Sequence, residues 1–263
     1  MNLSASFTNA PSASTGSIDA AAAVATFLNG NGKGFTDLMY IDPTEPGSSD
    51  NPPFPQGNTG AWWKDAVEAA RVRGATLSPY IYGQKTNVGW PTSPGAFDTA
   101  AKRWRGSKEV YCDFMAGCEG GGPAERWCDA LLVNGLTVAA EANSKQDWLI
   151  KKMMSHPGKV THAARFWLWD LPIPGAKMAT PIDKRWKLDE LIKMGSMPVV
   201  IINQQDSGPG KSDEDQLGFI PNLTADQWAK KVKEMVDLYH GAYGDKVKIV
   251  VRPKPGITAA GLA

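Results

Sequence analysis

The chain has 263 residues, 28 basic and 27 acidic, with a formal net charge of +1 and 42% hydrophobic residues. That size suits a single domain with a substantial core, and the near balance of charge predicts no broad attraction for nucleic acid or for an anionic membrane. No run approaches the roughly twenty apolar residues that a membrane-spanning helix needs. The Ser/Ala/Thr-rich Met1–Ser17 lacks the basic start and apolar centre of a secretory signal, so the expected location is cytoplasmic or within a virion.

Taken in chain order, a short apolar run, a loop and a helical stretch recur about every thirty residues. Asn2–Asn9 is the weakest run and Ala20–Leu28 reads as the helix after it. Phe35–Asp42 is followed by a helix over Ala61–Arg73, and Ala75–Gly83 by Glu109–Ala116. A helix over Glu125–Val133 leads to Leu136–Glu141, then come Ala164–Asp170, Met197–Gln204, a helix over Asp226–Tyr239, and Val247–Arg252. Strands alternating with helices imply parallel pairing through crossovers, and eight of them predict one (β/α)8 TIM-like barrel with an incomplete last unit. The barrel is expected over 18–253, with 1–17 an arm or a weak first strand and 254–263 a tail.

Local punctuation agrees with this register. Thr224-Ala225-Asp226-Gln227 reads as a capping box, Thr180-Pro181-Ile182-Asp183 as a helix start, and Pro123 as a first helical residue. Gly74, Gly106, Gly135, Gly195 and Gly244 each stand between a helix and the next strand, where a left-handed C-terminal cap is expected. The longest interruptions, Pro43–Asn58, Gln84–Gly95, Leu171–Ala179 and Asp206–Asn222, all follow strands and so project from one face, whereas the returns at 73–75 and 134–136 are tight. Loops that long in a compact domain are usually functional or mobile.

Three cysteines, Cys112, Cys118 and Cys128, and three histidines, His156, His162 and His240, do not have the grouping of a zinc site. No metal and no cofactor is expected. Gly208-Pro209-Gly210-Lys211-Ser212 has the flavour of a phosphate loop, but Gln205 stands where its first glycine belongs and no helix comes after it to align amides.

The chemistry gathers where the strands end. Asp42, Asp113, Glu141 and Asp170 close or nearly close four strands, with Tyr82, Gln84, Asn203, Gln204 and Arg252 at the ends of others. A strand covered on both faces should be apolar throughout, so an acid at its end needs solvent, a partner or a task. Converging carboxylates provide the acid and base, or acid and nucleophile, of glycoside hydrolysis. Among ten tryptophans, Trp63 and Trp90 are expected to stack on a ligand, while Trp167 and Trp169 are expected to pack outward against helices.

With Asp42, Asp113, Glu141 and Asp170 at strand ends beside Tyr82 and Trp90, the chain resembles glycoside-hydrolase-type TIM barrels over nearly its whole length. The pattern of glutamates on the fourth and seventh strands found in retaining members would fall at Asp113 and near Gln204. Here the first is an aspartate and the second an amide, with Asp206 the nearest acid. The first reading is an enzyme or lectin-like barrel acting on carbohydrate or peptidoglycan, with Glu141 and Asp113 as the acid/base pair and Asp42 or Asp170 assisting. The alternative reading is a non-catalytic structural component of a larger assembly such as a phage virion, self-associating or binding a protein partner through the N-terminal arm.

Overall fold

The computed structural model describes residues 1–8, 20–41, 61–84, 98, 101–102, 104–116, 123–141, 147–167, 188–203, 224–251, 253 and 257–262. The four long loops predicted from the sequence lie outside these residues, Gln84 apart, as do the helix start at Thr180–Asp183 and the phosphate-loop-like segment.

Eight strands form one closed barrel in sequence order: β1 (Asn2–Thr8), β2 (Asp37–Ile41), β3 (Thr76–Gln84), β4 (Glu109–Ala116), β5 (Thr137–Glu141), β6 (Val160–Trp167), β7 (Val199–Asn203) and β8 (Lys248–Val251). Every neighbouring pair is parallel, and β1 pairs with β8 to close the ring. Asn2–Thr8 is therefore wall, not arm, and an arm able to order on a neighbouring molecule excludes these residues. From Thr8 the pairing runs through Ile41, Tyr80, Tyr111 and Ala139 to Thr161; from Ala163, two residues on, it continues through Val199 and Lys248 back to β1 at Asn2. Six residues lost and two stepped over make a stagger of eight, the shear of a (β/α)8 barrel, which tilts its strands by roughly 36°.

Each helix forms because its apolar residues recur at helical spacing. Helix α1 (Ala20–Asn29) buries Val24 and Leu28, α2 (Ala61–Arg71) Trp63, Ala66 and Ala70, and α3 (Pro123–Val133) Ala124, Trp127, Cys128 and Leu131. Helix α4 (Asp147–Ser155) buries Leu149 and Met153, and α5 (Ala225–Tyr243) buries Val232, Met235, Val236, Tyr239 and Tyr243. These i, i+3, i+4 stripes face the barrel wall. The capping box of α5 is real: Thr224 Oγ1 accepts from Gln227 N at 3.3 Å, and Gln227 Oε1 accepts from Thr224 N at 2.9 Å. The helix runs four residues past the predicted end because Tyr243 continues the buried stripe, and Gly244, at φ 58°, ends it. Among the described residues, only the one-turn α6 (Ala259–Leu262) succeeds β8, as expected of an incomplete last unit.

Strand β6 begins four residues earlier than the sequence suggests. The turn 156–159, with Gly158 at φ 71°, passes straight into Val160, and polar Thr161 masks the strand start. Thr161 Oγ1 is satisfied at the barrel base, 2.6 Å from the Met197 carbonyl, to which it donates, and 2.7 Å from Ser196 Oγ.

Alternation along the strands separates two buried layers. Leu38, Tyr40, Leu77, Val110, Cys112, Val138, Ala140, Val200 and Ile249 pack outward with the helices. Met39, Tyr80, Tyr111, Ala139, Val199 and Val250, on the other parity, fill the lumen with a plug of their own. The barrel lumen is thus a packed core, and the C-terminal ends of the strands are where such barrels carry chemistry.

Candidate functional site

The lumen parity carried to the C-terminal strand ends selects the site. Tyr82 lies two residues beyond Tyr80, Asp113 two beyond Tyr111, and Glu141 two beyond Ala139. Register then puts these three on one rung: Tyr82 pairs with Asp113, and Asp113 with Glu141. The pairing shifts immediately afterwards, since Gln84 pairs with Ala116. Two residues on β3 thus oppose three on β4, and the extra residue of this bulge lies just beyond Asp113. Bulges bend the strand that carries them, and they recur beside active sites, where they re-aim side chains. Beneath the rung lies the closed plug, with bulky Tyr111 under Asp113 and small Ala139 under Glu141.

On the far side, Asn203 ends β7 in register with Trp167, the end of β6. Trp167 shares the parity of Ala163, which pairs with Val199 of the plug, not that of Val160 in the outer layer. The earlier start of β6 extends the strand backbone through residue 167. Arg165, passed over as a site residue in the sequence, has the same parity and pairs with Ile201. Asp42, Trp90, Trp169, Asp170, Gln204 and Arg252 lie outside the described residues.

Trp63 is not a ligand platform. It is fully buried between α2 and the wall, donates its indole N–H to Ser107 Oγ at 3.0 Å, and meets Trp104 edge-on at 4.9 Å and Tyr40 at 6.2 Å between ring centroids. Its position in the first turn of α2 suggested the mouth, but helical spacing to Ala66 and Ala70 turns it inward.

The described charged cluster lies at the opposite end. Asp37, Glu109 and Lys248 open β2, β4 and β8, and Lys248 Nζ sits 2.7 Å from Asp37 Oδ2 and 3.3 Å from Glu109 Oε2. Thr76 Oγ1 donates to Asp37 Oδ1 at 3.0 Å. Burial works against the Lys248 ammonium, but Glu109 and Asp37 together outweigh it and hold its pKa above that of an ordinary lysine. The same ammonium stands 5.4 Å from the Tyr111 ring centroid. Burial, reinforced by Glu109 and Asp37, pushes the Tyr111 phenol well above its usual range, so it stays neutral. Sequence reading missed this trio, although a charge as the first residue of three strands was its visible signal. It ties the base of the barrel across its lumen and lies away from the rim where barrel chemistry is found.

Cys112 and Cys128 are buried, and burial pushes the Cys128 thiol up to about 12, leaving it protonated and a poor nucleophile. His162 is the third residue of β6, at the base rather than the rim. Among the described residues, no three of His, Cys, Asp and Glu are gathered as a metal site, and no helix is long and apolar enough to cross a membrane.

No protein-family model matches the chain, and no curated protein matches it in sequence. Solved structures do. An endo-β-1,4-glucanase from Xanthomonas axonopodis pv. citri superposes with a TM-score of 0.54 at 11% identity, covering 94% of this chain and 87% of that one. A GH27 β-L-arabinopyranosidase from Geobacillus stearothermophilus gives 0.53 at 12% identity, covering 94% and 70%. Xylanase B from Clostridium stercorarium F9 gives 0.52 at 14% identity, covering 96% and 85%. At such identities the likeness is one of fold: the chain is a parallel (β/α)8 barrel of the kind on which these glycoside hydrolases are built.

Proposed function

We propose that this barrel is a glycoside hydrolase, with Glu141 as general acid/base and Asp113 as its carboxylate partner. The observation that carries the reading is the rung on which Tyr82, Asp113 and Glu141 succeed one another across β3, β4 and β5 at the C-terminal end of the wall. Two acids on adjacent strands are the minimum equipment for cleaving a glycosidic bond, and the fold shared with a glucanase, an arabinopyranosidase and a xylanase makes a polysaccharide the first substrate class to try.

Neighbouring strands lie about 4.7–4.9 Å apart. Acids on one rung and one parity thus start nearer the roughly 5–5.5 Å separation of retaining enzymes than the 6.5–9.5 Å of inverting ones. We assign Asp113 as nucleophile and retention as the outcome. Tyr82, Gln84, Trp90, Asn203, Gln204 and Arg252 bind the sugar hydroxyls and faces, with Asp42 and Asp170 assisting.

The test is a screen of β-glucan, xylan, arabinan and peptidoglycan with the parent and with Glu141→Gln. The amide keeps the shape but neither donates nor accepts the proton. Turnover by the parent and a loss of about 10²–10⁴-fold in the variant, at unchanged thermal stability, supports the reading. Absence of turnover on every polymer, or full activity in the variant, overturns it.

A further inference from the structure

The base of the barrel has a surface character that the overall charge conceals. Among the described residues, the large hydrophobic side chains left exposed are Met1, Val72, Val133, Met154, Met194 and Met197. All six lie at this end: Met1 and Met197 precede strands, and the other four end helices or come directly after them. Val133 and Met154 are 82% and 67% exposed. Isolated exposed apolar residues are ordinary; here six of them share the base of the barrel with the cations of the same turns.

The same turns are cationic. Lys33, Arg73, Arg105, Lys159, Lys193 and Lys246 are exposed in the helix-to-strand connections or at their edges. Among the described residues, Arg73 donates to the Ala69 carbonyl and Arg105 to Asn134 Oδ1, with the Asp98 carboxylate near enough to interact with the Arg105 charge. The acids nearby are already engaged: Asp245 holds the N-terminal ammonium at 3.0 Å, and Asp37 and Glu109 are drawn inward onto Lys248.

We propose that this base is a docking face for an anionic lipid bilayer. Lysines interleaved with exposed aliphatic and methionine side chains are what an anionic headgroup region takes up, the cations meeting phosphates and the apolar ends entering the acyl boundary. A ring of short turns around a barrel end lies across the barrel axis, so many residues meet a planar surface together. A surface for single-stranded nucleic acid would instead want aromatic platforms for bases, and none of the exposed hydrophobics here is aromatic; duplex binding by charge alone is an outcome of the test below. Such docking leaves the opposite rim, with Asp113 and Glu141, facing away from the membrane.

Co-sedimentation with vesicles tests this. The full chain is expected to bind vesicles of mixed phosphatidylcholine and phosphatidylglycerol, to bind phosphatidylcholine alone weakly, and to be released by salt. The triple variant Lys159→Glu, Lys193→Glu, Lys246→Glu should lower partitioning by at least about a hundredfold, since each basic residue near such a surface contributes about fivefold. Val133→Ser with Met154→Ser should weaken it several-fold with charge unchanged. All five positions are exposed, and thermal melts confirm that the variants fold. Absence of vesicle binding overturns the proposal. So does full vesicle binding by the serine variant together with equal binding of the parent to duplex DNA, which marks a face selecting polyanions by charge alone.

Discussion

Asp113 and Glu141 occupy one rung of the barrel, paired across β4 and β5 immediately above the Tyr111–Ala139 pair of the lumen plug. Their nearness is a property of the wall. Parallel register holds the two backbones side by side whatever the loops beyond them do. The plug beneath closes the lumen, so reacting groups are confined to the rim. An acid pair on sheet rather than loop is positioned by the most rigid part of the fold.

That placement predicts the stereochemistry of the reaction. Proton NMR of the first product formed should show the anomeric configuration of the substrate, as a double displacement through Asp113 requires. Inversion would assign both acids to a wider separation and remove Asp113 as nucleophile.

At the base, Lys248 neutralises Asp37 and Glu109 together, and its removal leaves two poorly solvated carboxylates facing each other. Breaking a buried ion pair from one side costs about 3–5 kcal/mol. Some solvent reaches these groups, and Lys108 remains 3.7 Å from Asp37, so Lys248→Met should cost about 2–3 kcal/mol in urea unfolding. Adding Asp37→Asn and Glu109→Gln should recover part of that loss, because the uncompensated charge is then gone.

The same groups set an alkaline limit. The folded pKa of Lys248 and that of Tyr111 are both raised. Above the ordinary lysine and tyrosine values, about 10–10.4, the unfolded chain releases these protons while the folded chain keeps them. The contribution of both groups is therefore complete below about pH 10 and falls as pH rises through the folded values. Urea midpoints measured across the alkaline range should decline from that point, and Lys248→Met should show a shallower decline.

Trp63 provides a packing prediction in place of a binding one. Trp63→Ala should cost about 3–5 kcal/mol of stability, the usual range for deleting a buried aromatic, and Trp63→Phe less. Neither should change the affinity of an active, folded protein for sugar, because the ring lies behind the wall against Trp104 and Tyr40. A selective loss of sugar affinity in Trp63→Phe would return the residue to the site.

Periodicity, caps and helix-ending glycines were enough to read an eight-fold β/α repeat from the sequence, because each is a local consequence of residue type. Alternation places apolar residues on a wall, Thr224 and Gln227 cap a helix, and Gly74, Gly106, Gly135, Gly195 and Gly244 take the positive φ that favours glycine. The acids at strand ends were legible for the same reason, since Asp113 and Glu141 interrupt apolar runs. Anything set by register between distant segments required the tertiary structure. The shared rung of Tyr82, Asp113 and Glu141, the bulge beyond Asp113, the pairing of Trp167 with Asn203 and the meeting of Asp37, Glu109 and Lys248 all depend on how strands slide past one another. A slip of one residue would send every side chain to the other face. Burial of Trp63 and the gathering of charge and apolar surface at the base likewise arise only when the wall closes, because closure brings turns separated by more than 200 residues, such as those of Met1 and Asp245, to the same end of one barrel.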